Sequence, residues 1–200
     1  GRIEIAYGLA RAGVARGREA LVASLKSKRR DARLDAASAL ARLGDDSGRK
    51  YLHSMLRVRS HRLGAAAVLA ELEDDRGLEM LRKVAADKRA SQAAKLRATV
   101  ALGRAKKDEA RDELRRIVED GRYQVGAAAA LATLGDESVV PILAKQLEHS
   151  SVRVEAALAL VALQARVDLD PLRVALSAGD DVGTVSAAEA LLILLAEVGE

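Results

Sequence analysis

"VGAAAALATLGDE", Val125 to Glu137, decides the fold because the chain has already written it once. At Leu63 to Asp75 it reads "LGAAAVLAELEDD". With Leu63 and Val125 as unit starts, the same pattern begins again at Ile3, Leu34, Leu96, Val154 and Val185, at spacings of 31, 29, 33, 29, 29 and 31 residues. Six positions after each start stands Leu9, Leu40, Leu69, Leu102, Leu131, Leu160 or Leu191. Eighteen positions after it stands Leu21, Leu52, Leu81, Leu114, Leu143 or Leu172. The variation in length falls after the second leucine, so the connection between units absorbs it. A fixed period of this size marks a repeat architecture.

Each unit reads as two helices. Apolar residues at offsets 0, 2, 3, 6 and 9 share one helical face, as in Leu96, Ala98, Thr99, Leu102 and Ala105. Offset 10 is Gly13, Gly44 and Gly135 in three units, suited to a left-handed residue that ends the helix. The acids that follow, Asp45-Asp46, Asp74-Asp75 and Asp136-Glu137, stand where a second helix wants a cap or a favourable dipole interaction. That helix carries its own apolar face, with Leu52, Met55 and Leu56 as an example, and Pro141 and Pro171 fall in its first turn. One such pair cannot bury its apolar face alone, whereas stacked pairs build a continuous core. All the repeated leucines are therefore expected in that core.

Composition agrees. The chain holds 41 Ala and 30 Leu but no Phe or Trp, which suits helices packed closely on helices. The absence of Cys excludes disulfides and thiolate chemistry. No apolar run approaches the length of a membrane span, and no signal peptide is visible; a cytoplasmic location is the expectation. The net charge of +4 conceals +10 in residues 1–100 and −6 in residues 101–200.

The stretches "RLDAASALARLGDD" (33–46), "YQVGAAAALATLGDESVVPILAKQLEHS" (123–150) and "VRVEAALALVALQ" (152–164) resemble the HEAT-repeat family, in particular its short-unit subgroup like the repeats of phycobilisome bilin lyases. The resemblance implies an all-α fold, a right-handed α-α superhelix of about six and a half units forming a single array over residues 1–200. Two units depart from the Gly-Asp turn, with Lys106-Lys107 and Gln164-Ala165. The basic residue before most starts (Arg2, Arg33, Arg62, Lys95 and Arg153) takes the place of a family arginine that pairs with neighbouring acids or carbonyls. Gly1 lies just before a unit start and Glu200 just after a first helix, so the chain is read as a segment of a longer protein. The last helix, with Leu192, Ile193 and Leu195, has too broad an apolar surface for one neighbour and is expected to self-associate or to pack on a continuation.

No catalytic, cofactor-binding or metal-binding residue is assigned. His53, His61 and His149 lack the i,i+4 partner of a zinc helix, and His61 and His149 are expected as surface residues in turns between units. The family's iron hydroxylases use His-Glu pairs, and the chain has none. "GRYQVGAA" (121–128) lacks the Lys and Ser/Thr of a phosphate loop, and "DLDP" (168–171) reads as a turn and cap. Glycosylases of related fold read bases with aromatic side chains, for which this chain is poorly equipped.

What remains is surface. The resemblance places the second helices on the concave side. Offsets 19 and 20 there put His53, Arg82, Lys83, Arg115, Arg116, Lys145 and Arg173 at one height. Acids flank them, and pairing within a helix, such as Asp112 with Arg115 and Arg116, is the competing expectation. The expected function is a non-enzymatic scaffold for an acidic or mixed-charge protein segment. The alternatives are nucleic-acid binding, favoured by the basic first half, and a tetrapyrrole-binding role like that of bilin lyases.

Overall fold

The computed structural model describes residues 2–121, 123–149 and 152–165. These residues form α-helices and short 3-10 turns, with no strand among them. The chain divides into two compact units, Gly1–Ala98 and Thr99–Glu200. In the first, α1 (Arg2–Arg11) pairs with α2 (Ala15–Ser24), α3 (Arg30–Arg42) with α4 (Asp46–Met55), and α5 (Arg62–Glu71) with α6 (Asp75–Ala86). The boundary falls inside α7 (Gln92–Arg104). In the second unit come α8 (Arg111–Glu119), α9 (Gln124–Thr133), α10 (Val140–Gln146) and α11 (Arg153–Ala162), where α9 packs on α8, α10 and α11. Among the described residues the first helices of the repeats begin at Arg2, Arg30, Arg62, Gln92, Gln124 and Arg153, one to four residues before the unit starts. The fold is all-α, of the helical-repeat solenoid class.

The repeated text is packing. Leu40 and Leu69 are fully buried, and so are all five described leucines at offset 18, from Leu21 to Leu143. Leu40 lies with Ala6 and Leu21 of the preceding repeat. Leu69 lies in the same way with Ala37, Ala41 and Leu52. The alanines at offset 2, namely Ala36, Ala65, Ala98, Ala127 and Ala156, are at 0 % exposure, and that depth is what lets neighbouring helices close up. Leu9 departs from expectation. It is 42 % exposed, because the leucine at this offset is covered by the preceding repeat, and none precedes α1 among the described residues. Leu172 and Leu191, Pro171 and the apolar C-terminal helix lie outside the described residues.

The turn inside each pair is more uniform than its sequence. Gly13, Gly44 and Gly135 have φ of +81°, +76° and +75°, as their lack of a Cβ allows. Glu73, Lys106 and Gln164 occupy the same offset and are left-handed too, at +57°, +55° and +51°. The three units that lack the glycine thus keep the geometry, at a conformational cost on the order of 1 kcal/mol per residue. In the three units that have an Asp next, its side chain caps the second helix by accepting the N–H of Ser47, Arg76 or Ser138.

The second helices differ. Gly17, Gly48 and Gly77, each the third residue of its helix, press against the first helix of the pair. A Cβ on Gly48 would stand 2.5 Å from the Ala37 carbonyl oxygen and the Ala41 nitrogen. The same offset holds Ala110 and Val139 in the second unit, and there a 3-10 turn (Asp108–Ala110 or Glu137–Val139) precedes a shortened helix. Pro141 sits in the first turn of α10, where its missing N–H costs little.

Candidate binding surface

The second-helix cations are placed by a contact between repeats. Asp136, at the turn of one repeat, holds Ser138 through Oδ1: it accepts from the backbone N–H at 3.2 Å and from the hydroxyl at 2.6 Å. Its Oδ2 faces back to the preceding second helix, where Arg115 Nε donates at 2.9 Å and Nη2 lies at 2.8 Å. Arg111, one turn earlier, comes within 3.7 Å of the same oxygen. Burial alone would push the Asp136 carboxyl up; the Ser138 hydroxyl, the Arg115 guanidinium and the Ser138 N–H outweigh it and hold it below the ordinary value.

The first unit repeats this arrangement twice. Asp45 accepts from the Ser47 N–H and hydroxyl through Oδ1, and Arg18 reaches its Oδ2 at 2.7 Å. The Ser47 bonds, joined by Arg18, lower its pKa despite partial burial. Asp74 accepts the Arg76 N–H, while His53 Nε2 lies 2.8 Å and Arg49 3.9 Å from its Oδ2. One aspartate thus does two jobs, capping its own helix and tying it to the helix of the repeat before.

The sequence contains a signal for this contact that the periodic reading passes over. Arginine at offset 15 (Arg18, Arg49, Arg111) occurs only where the next repeat has Asp at offset 11 (Asp45, Asp74, Asp136). Where the next repeat has Lys107 or Ala165 instead, offset 15 is Leu78 or Val140. Tracking pairs of offsets across neighbouring repeats would have found it.

The expected stripe is therefore in two conditions. His53 and Arg115 are committed to carboxylates of the next repeat. Arg115 is bound to Asp136 rather than to the Asp112 of its own helix, because the capping aspartate is fixed and partly buried whereas Asp112 is exposed. Arg116 does pair within its helix, with Glu113 at 3.3 Å. Arg82, Lys83 and Lys145 are exposed, Arg82 with a partner of its own. Arg82 and Lys83 belong to the first unit and Arg115, Arg116 and Lys145 to the second; Arg173 lies outside the described residues.

The remaining candidates resolve simply. Arg33 Nη1 donates to the Ser27 carbonyl at 2.6 Å and the Lys28 carbonyl at 3.1 Å, and Arg153 treats Leu147 and Glu148 likewise. The basic residue before these two starts thus closes the end of the preceding helix. His149 is exposed as expected. His61 is not: its side chain is 13 % exposed, with Nε2 3.4 Å from Asp31. A shallow groove of 410 Å³ runs over α1, α3 and α5, past Ile3, Tyr7, Leu34, Ser38, Arg42 and Val68. Two of its polar groups are already committed, the Ser38 hydroxyl to the Leu34 carbonyl and Arg42 to Glu71. No His, Asp and Glu group suited to a metal ion occurs among the described residues. No described helix is long and apolar enough to cross a membrane. "DLDP" lies outside the described residues.

Residues 124–149 match the PBS lyase HEAT-like repeat. The match covers α9, the capped turn at Asp136 and α10, one helix pair of the stack. It is the family that the sequence resembles, and it carries the helical-repeat scaffold with it. No curated protein matches the chain.

Proposed function

We propose that this chain is a non-enzymatic interaction scaffold whose second-helix face holds a mixed-charge segment of a partner protein. The observation that carries the reading is the pairing of charge on that face. His53 stands with Asp74 in the first unit, and Arg115 with Asp136 and Arg116 with Glu113 in the second, so each unit sets cation beside carboxylate on its second helices. A surface of both signs suits a partner that also carries both, and it repels a uniform polyanion. Stacked helix pairs provide the rigid, extended frame that such recognition uses. Rigid elements position side chains better than loops do.

The test must spare the frame. Reversing Arg115 would place a second carboxylate beside buried Asp136 and disturb the stack. Lys83, Arg116 and Lys145 are exposed and lie outside the contact between repeats. The triple variant Lys83→Glu, Arg116→Glu and Lys145→Glu should keep the wild-type melting temperature, since exposed substitutions usually change stability by less than about 0.5 kcal/mol. It should no longer capture the partner that the wild-type chain retains from lysate of its source cells. Undiminished capture would move the partner to another face.

A further inference from the structure

A denser group of cations that no carboxylate neutralises lies elsewhere, on the edge where one helix pair passes to the next. In the first unit three such loops follow α2, α4 and α6. The first carries Lys26, Lys28 and Arg29, with Arg30 opening α3; the second carries Arg57 and Arg59; the third carries Lys88 and Arg89. All eight side chains are exposed, and among the described residues none is in an ion pair. The loops all join the end of a second helix to the start of a first helix, so stacking sets them side by side. His61 at the end of the second loop, 3.4 Å from Asp31 at the start of α3, fixes the first two as neighbours. The acids at this edge are few. Asp31 faces His61, and Asp87 accepts the Arg89 backbone N–H at 2.8 Å.

We infer that this edge binds the phosphate backbone of duplex nucleic acid without reading its sequence. Adjacent helices pack about 8–10 Å apart, so three loops span on the order of 20 Å. A strand of duplex presents a phosphate about every 3.4 Å over that distance. Like charge that recurs once per repeat complements a ligand whose charge also recurs regularly. The paired charges of the second-helix face do not. Phosphate contacts carry no sequence information by themselves, and the chain has no Phe or Trp to stack on splayed bases. An anionic bilayer fits less well. Leu25, Leu56 and Val58 in these loops are half-buried, and none of the large exposed hydrophobics lies there, so the edge lacks an apolar anchor beside its charge. Among the described residues, the corresponding connections in the second unit carry Asp120 and Glu148 and no Lys or Arg, so the surface is assigned to the first unit.

Fluorescence anisotropy of the whole chain with a labelled random-sequence duplex of about 20 base pairs, longer than the roughly 6 base pairs that a footprint of about 20 Å covers, tests this across a salt series. Binding should weaken linearly in log salt. The variant Arg29→Gln, Arg57→Gln and Arg89→Gln, one cation per loop, should reduce the slope by about 0.9 for each phosphate it no longer neutralises, nearly three in all. Its circular-dichroism melt should match the wild type. The variant Lys83→Gln with Lys145→Gln, on the second-helix face, should leave the slope unchanged, which keeps this surface distinct from the protein site. No binding at 50 mM salt, a slope untouched by the loop variant, or binding to phosphatidylserine vesicles with none to duplex would each overturn the inference.

Discussion

The two units of this molecule run the same repeat with a different residue at one offset. In the first, Gly17, Gly48 and Gly77 let the second helix begin in α geometry directly against its partner. In the second, Ala110 and Val139 carry a Cβ, and a 3-10 turn comes before a shorter helix. Both side chains are buried, at 3 % and 2 % exposure, so the turn makes room for them inside the core. The same fold is thus reached by two local routes, and the presence of a Cβ at this offset goes with the second. The units differ at their edges too, with unpaired cations in the connections of the first and acids in those of the second.

The largest expected effect tests whether the two routes lead to one core. Leu40→Ala in the first unit and Leu131→Ala in the second should each cost ~2–5 kcal/mol, as for other buried leucines. Leu9→Ala should cost less than about 1 kcal/mol, since an exposed side chain loses little on truncation. Urea midpoints would show it. A Leu9 loss equal to that of Leu40 would mean that something covers α1.

Gly48→Ala sharpens the comparison most. Alanine favours a helix by about 1 kcal/mol over glycine, so propensity alone predicts a gain. The clash with Ala37 and Ala41 backbone predicts instead a loss of about 1–3 kcal/mol. Ala110→Gly in the second unit meets no such clash and should cost about 1 kcal/mol or less. Thermal melts of the two variants would decide, and a more stable Gly48→Ala protein would end the explanation.

The capping aspartates give a smaller effect that depends on pH. Asp45 and Asp136 titrate below the ordinary value of 3.8 in the folded chain. Their contribution is therefore complete above that value and is lost as pH falls through it towards the folded pKa. Asp136→Ala should cost ~1–2 kcal/mol at neutral pH and narrow towards the wild type in acid. Denaturation at pH 7 and pH 3 measures this; a gap that widens in acid would contradict the assignment. The smallest effect concerns the turns. Glu73→Gly and Lys106→Gly should each stabilise by about 0.5–1 kcal/mol, the relief of the left-handed conformation less the added freedom of the unfolded chain. Calorimetry would register a raised melting temperature in both.

The helix pairs, the buried leucines and alanines, and the capping acids are legible in the sequence because each is a local pattern repeated at fixed offsets. Leu9 misleads because its letter matches the others while its burial depends on a neighbour. The turns at Glu73, Lys106 and Gln164 are obscured because the fold imposes a conformation that their letters disfavour. For Arg115 the sequence suggests a partner within its own helix, since spacing along a helix is visible there, whereas Asp136 lies 21 residues away in the next repeat. The stripe is legible as a row of cations, but which of them are already neutralised is a matter of three-dimensional contact. The connections matter least to the repeat pattern, as the parts that vary in length, yet in the first unit they and the start of α3 hold eight unpaired cations.

Cross-linking the chain to its captured partner, and mapping the linked peptides by mass spectrometry, tests the scaffold reading most directly. Links are expected at Lys50 and Lys83 in the first unit and Lys145 in the second, all on second helices. The link at Lys50, whose amine the variant leaves in place, should disappear when Lys83, Arg116 and Lys145 are reversed, while a control complex assembled through an appended tag keeps its own. Links confined to Lys26, Lys28 and Lys88 in the connections, or to Lys95 on a first helix, would contradict it.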